Sequence, residues 1–403
     1  MKRLSSLMLV FILLTIVPLT AAADCPTLVK QALAATDSLC KETGNNQACY
    51  GNISLQAKPN SQAENFVFSQ PGDHVNIGDI RSLQLSPMTL DTGEWGVALM
   101  HVQANLPATS PNNLLLLAFG DVFLENTAPI PTALEGQVGD AFVNARWLPN
   151  TSSRTLVALK PGQAVTVVER LADNSWVRIN LPDSGETGWV KTELLKVTGN
   201  LNTLSVVDAT QPNYRPMQAF TFKSATDKQN CAEIPQNGLL IQTPEGAGEV
   251  KLWINQIVIK LGSTVYFQAQ PNGDMIVSTI EGHATVEALG VSYTAIAGSS
   301  IHVQLDEDMK PISVPSLPQA YQITDVQNLP IDNLQRKISI HPPLTEQEVT
   351  SLKKTQMHNC FGLICNGNNA NCPGNSCHNG TNNNNGNGGN SDNKDKDKDK
   401  GNG

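Results

Sequence analysis

The 403-residue chain is long enough for two to three compact domains. At 40% hydrophobic, 16% charged and 5% aromatic residues it has the apolar material for folded cores, and so low a charge suits β-rich extracellular chains better than helical bundles. A net charge of -9, with no Lys/Arg block beyond the first three residues, argues against a nucleic-acid partner, which needs a basic stripe to neutralise phosphates.

Residues 1–23 are predicted to be a Sec-type signal peptide. Lys2 and Arg3 form the positive segment, Leu7 to Leu19 the apolar run, and Ala21-Ala22-Ala23 the small residues before cleavage. Pro18 and the shortness of the run argue against a retained anchor, because a spanning helix needs about 20 apolar residues. Asp24 before Cys25 departs from a lipoprotein signal. No transmembrane segment is expected after cleavage, and the localisation expected is extracellular or cell-surface.

Export makes the eight cysteines disulfide candidates. Cys25, Cys40, Cys49 and Cys231 form one set; Cys360, Cys365, Cys372 and Cys377 form another. Four cysteines admit three pairings, and spacing does not choose among them. A local Cys40–Cys49 bridge would leave Cys25 to tie the N-terminal segment to Cys231. From Cys25 to Cys40, apolar Leu28, Val29, Ala32, Leu33, Ala35 and Leu39 recur at helical spacing, with Pro26 tolerated in the first turn and Gly44-Asn45-Asn46 as the stop.

The remainder of the 24–135 region reads as β-structure. Phe66-Val67-Phe68, Leu83-Gln84-Leu85, Trp95 to Val102 and Leu114 to Leu124 are strand candidates between Pro, Gly, Asn and Asp turns. Leu114 to Phe119 is uniformly apolar, as in a strand buried on both faces. Thr127 to Thr132 reads as a linker.

Residues 141–197 carry the clearest pattern. Val143-Asn144-Ala145-Arg146 is followed by Leu159-Lys160-Pro161-Gly162 and the alternating Val165, Val167 and Glu169. Then come Asp173 to Ile179 with Trp176, and Gly188-Trp189-Val190. Turn residues at such short intervals suit a small barrel. In this order the segment resembles the bacterial SH3-like (SH3b-type) family. The resemblance implies a β-barrel with Trp176 and Trp189 on consecutive strands, Gly188 allowing a tight approach, and those two tryptophans as the candidate binding residues. The family usually has a small Gly/Ser-rich turn after the Arg. Here Trp147-Leu148-Pro149-Asn150 follows, which puts the usual binding groove in doubt.

Residues 201–315 are again β-rich, with candidate strands at Leu239–Ile241, Val250–Leu261, Thr264–Gln270, Met275–Ile280 and Ala284–Ala288. Glu281-Gly282-His283-Ala284-Thr285-Val286, followed by Ala297-Gly298 and Val303, resembles the FecR-type β-domain over 239–305. In the Pro-punctuated 316–358 segment, Leu344 to Met357 is a candidate helix opened by a Thr345/Glu348 capping box. Residues 359–403 hold the second cysteine set and an Asn/Gly and Asp-Lys tail too poor in apolar residues to order itself.

That second set allows one sharper reading. Cys360, Cys365, Cys372 and Cys377, flanked by His358 and His378, offer zinc ligands, and Cys372 to His378 is a lengthened form of the c-type haem motif. Both spacings are unusual, and an oxidising compartment favours S–S bonds, so neither a metal nor a cofactor is expected. No catalytic motif is recognisable. The seven histidines are scattered, and no G-x-S-x-G elbow occurs.

The fold class expected is mainly β and multi-domain: a small SH3-like barrel between two larger β-regions, a short N-terminal helix and a disordered tail. The function expected is that of a non-enzymatic secreted or cell-surface binding protein. Its partner would be a cell-wall glycan or peptide, or another surface protein. A structural extracellular β-stack or matrix protein, and an unrecognised hydrolase, are the alternatives.

Overall fold

A computed structural model describes residues 25–361 except 105, 107–112, 129–131, 182–186, 210–212 and 226–232, with the backbone alone for 357–361. The expected signal peptide, Cys231, Cys365, Cys372, Cys377 and the tail lie outside the described residues. Cys360 lies at the end of a helix, Glu346–Phe361.

The described residues are mainly β, in three sheets. The first runs Gln319–Ala320, Ser299–Gln304, Asp274–Glu281, Thr264–Ala269, Gly238–Gln242, Leu114–Phe119, Val97–Val102, Gln47–Asn52, His74–Asn76. The second runs Leu55–Pro59, Ile80–Leu85, Val122–Asn126, Ala219–Ser224, Val250–Ile254, Ile257–Leu261, His283–Ala288, Val291–Ile296. The third contains only strands between Leu134 and Val206.

The two β-regions read separately along the chain share both large sheets. Leu114–Phe119 pairs antiparallel with Gly238–Gln242, placing Leu117 beside Leu240. Val122–Asn126 pairs with Ala219–Ser224, placing Leu124 beside Phe222. One β-sandwich thus holds both regions, and the third sheet is an insertion between two of its neighbouring strands.

Side-chain alternation explains why Leu114–Phe119 is apolar throughout. Successive residues of a strand point to opposite faces. Leu114, Leu116 and Ala118 enter the core between the two sheets. Leu115, Leu117 and Phe119 enter a second core on the outer face, roofed by the N-terminal helix through Val29 and Ala32 and by a C-terminal segment through Tyr321, Val326, Leu329 and Leu334. The sandwich is therefore three layers deep at this point.

The helix spans Cys25–Cys40. Its last residue is bonded to Cys49, nine residues on, in the strand Gln47–Asn52. Cys25 is disulfide-bonded as well. Closing so short a loop removes unfolded-chain entropy worth roughly 2–4 kcal/mol. Replacing Cys40 and Cys49 together by Ala is expected to lower stability by that amount, read from urea unfolding as the free energy extrapolated to water.

One strand expectation needs correction. Phe66-Val67-Phe68 joins no sheet. Phe68 instead packs as a buried plug on Tyr50, ring centroids 5.6 Å apart. The turn behind it is held by Asp73, which accepts from the Ser69 and Gln70 amides. Conversely, Ala219–Ser224 and Val291–Ile296 are strands that the sequence reading did not pick out.

Over 239–305 the short glycine signatures have a structural cause. Gly282 and Gly298 stand where the chain passes between the large sheets, both at positive φ, 71° and 89°. A Cβ at Gly282 would lie 2.3 Å from that of Ser263, so these corners require glycine.

The C-terminal segment is anchored at both ends of the roof. Arg336 grips Glu281 with two bonds, of 2.7 and 2.6 Å, while the buried Gln242 amide pairs with the Arg336 backbone. Asn333 donates to the Leu33 carbonyl and to Asp37 of the helix. The Arg336 bonds are the main cause holding the Glu281 carboxyl below its ordinary 4.5. A depressed folded-state value means that the stabilisation is complete well above pH 4.5 and is lost as pH falls through the lowered value. Amide protection of the 321–344 segment, taken relative to the intrinsic exchange rate at each pH, is therefore expected to fall on acidification below that range, and Glu281→Gln should remove most of this dependence. The helix after it starts as expected: Thr345 and Glu348 exchange side-chain-to-backbone bonds.

Candidate functional site

The inserted sheet runs Thr155–Leu159, Val143–Arg146, Thr187–Lys191, Trp176–Asn180, Ala164–Arg170, Leu134–Val138, Leu195–Val197. Val143, Ala145, Val165, Val167, Val177, Ile179 and Val190 close around one small core. Gly188 lies against this packing; a Cβ there would come within 2.8 Å of Leu181 and 3.2 Å of Ala145.

The outer face of this sheet carries a row of paired residues. Glu169 lies opposite Arg178, Arg178 opposite Trp189, and Trp189 opposite Arg146. Strict alternation from Val165 and Val167 would send Glu169 inward. A register shift between Val167 and Glu169 turns it outward instead, as bulges do. The Arg178 guanidinium lies 2.5 Å from the Glu169 carboxylate and 4.5 Å from the centroid of the Trp189 ring. Both charged side chains are about as buried as the core, 5% and 4% exposed. Burial pushes the Glu169 carboxyl up and the Arg178 guanidinium down, while their mutual attraction and a bond from Asn213 oppose this.

What buries this face is the chain leaving the barrel. Ser205–Val206 lies parallel to Ala164–Arg170, and Val207 packs with Trp176 and Trp189. Trp176 and Trp189 do stand on paired neighbouring strands, but they are 8% and 2% exposed. Covered in this way, neither ring presents a face to a ligand. The two residues the resemblance nominated for binding are buried in this structure, packed against the exit segment through Val207. The exposed aromatics of the barrel are Phe142 and Trp147. Trp147 sits in the atypical turn, which is closed by a bond from Leu148 N to Ser153 Oγ, and Arg154 lies 5.8 Å from its ring.

Residues 142–196 match the family model for the bacterial SH3 domain. This segment is a bacterial SH3 domain. The match ends at residue 196 and lends nothing to the FecR-type resemblance. No curated protein matches the chain.

Beside the SH3 domain lies a cleft of about 240 Å³, walled on one side by Val168, Glu169, Asn180 and Ser205 of the barrel and its exit strand. The opposite wall comes from the sandwich and from the returning chain at Tyr214 and Arg215. Five amide side chains reach it: Asn46, Asn76, Gln103, Asn180 and Asn213. Asn46 and Gln103 are bonded to each other, and Asn76 caps the Gly78 amide through its oxygen. Tyr214 is stacked on Trp253, centroids 5.7 Å apart. These residues were missed in the sequence because they come from segments up to 169 positions apart, Asn46 to Arg215, with no shared motif.

A Ser–His–Asp row also emerged that the scattered histidines did not suggest. Ser300 Oγ lies 3.3 Å from His302 Nε2, and His302 Nδ1 lies 3.3 Å from Asp274. Ser300 is 2% exposed and paired on both sides, with Ser278 and Gln319, so its hydroxyl is held within the sheet rather than aimed at a substrate. Among the described residues no cluster of three or more His, Cys, Asp or Glu could hold a metal, and no helix is long and apolar enough to cross a membrane.

Proposed function

We propose that this chain is a non-enzymatic binding protein, exported to the cell surface or beyond, that engages a cell-wall glycan or peptide or another surface protein. The observation that carries the reading is the bacterial SH3 domain at 142–196, a fold that serves as a binding module. The Cys40–Cys49 bridge supports export, since such bonds persist in oxidising compartments. The SH3 domain works here as part of a larger surface. Its usual aromatic face is sealed by its own exit strand, which leaves Phe142, Trp147 and the cleft against the sandwich as the accessible features.

Co-sedimentation of the full chain with purified peptidoglycan and with isolated envelope tests this reading. Retention above that of an unrelated β-protein is expected; retention no greater than that control contradicts it. A second reading, a rigid extracellular β-stack, is favoured by the way the insertion is held: Thr127 bonds back to Ala219, and the exit strand is hydrogen-bonded to the barrel. Under that reading the chain polymerises or cross-links without any envelope ligand.

A further inference from the structure

We propose that the cleft between the SH3 domain and the sandwich is a carboxylate-binding site, with the Arg215 guanidinium as its anchor and the surrounding amides as hydrogen-bonding partners for the rest of the ligand. The proposal rests on the reading of the chain as a binding protein and adds the chemistry of what is bound.

Arg215 lines the cleft and is half-buried. Its backbone amide is bonded to Gln218, but among the described residues its guanidinium has neither a hydrogen-bond acceptor nor a carboxylate within ion-pair distance. Buried arginines are ordinarily paired, as Arg178 is with Glu169 across the same cleft wall. Burial lowers the Arg215 pKa. Among the described residues the fold therefore holds a half-buried cation in the cleft wall without supplying its anion. Guanidinium is a planar fork matched to carboxylate.

The remaining lining fits a polar ligand. Asn76 Nδ2 and the Asn180 amide carry no internal bond among the described residues, so both are available to donate, and Asn180 also to accept. Among the described lining residues the one carboxylate, Glu169, is already committed to Arg178 and Asn213. A volume of about 240 Å³ is below the roughly 300–1,000 Å³ of a drug-sized site. It suits the acidic end group of a peptide or one acidic sugar.

Two pairs of probes separate these sources: alanyl-alanine against its C-terminal amide, and glucuronate against glucose. Each is titrated by calorimetry into the full wild-type chain, Arg215→Gln and Arg215→Lys. At least one acid is expected to bind about tenfold or more tighter than its neutral partner. Arg215→Gln should lose about ten- to hundredfold in affinity for that acid, and Arg215→Lys should fall between, keeping the charge without the fork. Protection of Arg215 from phenylglyoxal by the same acid, mapped by mass spectrometry on the wild-type chain, reads the site without any substitution. Binding of neither acid, equal binding of acid and neutral partner, or full affinity in Arg215→Gln would overturn the proposal. Envelope retention without acid binding would overturn it while leaving the binding function standing. Acid binding through Arg215 without envelope retention would support the site and contradict the envelope partner.

Discussion

Arg178→Met is expected to destabilise the SH3 domain by about 3–5 kcal/mol, because it leaves the Glu169 carboxylate buried without its cation. Glu169 is already disfavoured as an ion by burial, and Arg178 is the main group that holds it charged. The same substitution removes the guanidinium from the Trp189 ring and loosens the face on which Val207 is seated. Replacing both partners, Glu169→Leu with Arg178→Met, removes the buried charge altogether and should recover most of the loss. Native-state amide exchange distinguishes this from a global effect. Trp176–Asn180 and Thr187–Lys191 should lose protection in the single variant, while Leu114–Phe119 and Gly238–Gln242 keep theirs. Unchanged exchange in Arg178→Met would mean that the pair contributes nothing to the barrel.

Leu116→Ala and Leu117→Ala, adjacent in one strand, are expected to fail differently. Both side chains are fully buried, and removing such a leucine costs about 2–5 kcal/mol in transfer and cavity terms. Leu116 lies between the two large sheets, beside Met100 and Ile241, so its loss should lower the stability of the whole sandwich. Leu117 faces the roof formed by the N-terminal helix and the C-terminal segment. Its loss should first speed amide exchange in Cys25–Cys40 and around Val326–Leu334. Identical exchange patterns in the two variants would contradict the three-layer arrangement.

Local features were legible in the sequence because local physics specifies them. The helical spacing of Val29, Ala32 and Leu33, the Thr345/Glu348 capping box and the doubly buried Leu114–Phe119 each follow from a few consecutive residues. The SH3 domain was legible because its turns and its Trp and Gly positions fall within one short segment. Strand partners were not. Apolar alternation says which face of Gly238–Gln242 is buried but not that Leu114–Phe119 is its neighbour, across an insertion that interrupts the chain. The burial of Trp176 and Trp189 was hidden for a similar reason. It depends on Ser205–Val207, a segment outside the module's motif, and on a bulge near Val168 that alternation alone does not reveal. Arg215 had no motif at all, and only the meeting of barrel and sandwich makes it a site residue.

On the function proposed above, binding resides in the SH3 domain and its junction with the sandwich. Asn126 and Phe220 are paired, and Thr127 bonds to Ala219, so the insertion enters and leaves between two neighbouring strands. Replacing residues 129–215 by a short Asn-Gly turn should therefore leave the sandwich folded as a simple hairpin at that point. The decisive measurement is co-sedimentation of this chain and the full chain with isolated envelope, after circular dichroism has shown the sandwich intact. The full chain should be retained and the shortened chain should remain in the supernatant. Equal retention of the two would place binding elsewhere in the molecule, away from the SH3 domain and its junction.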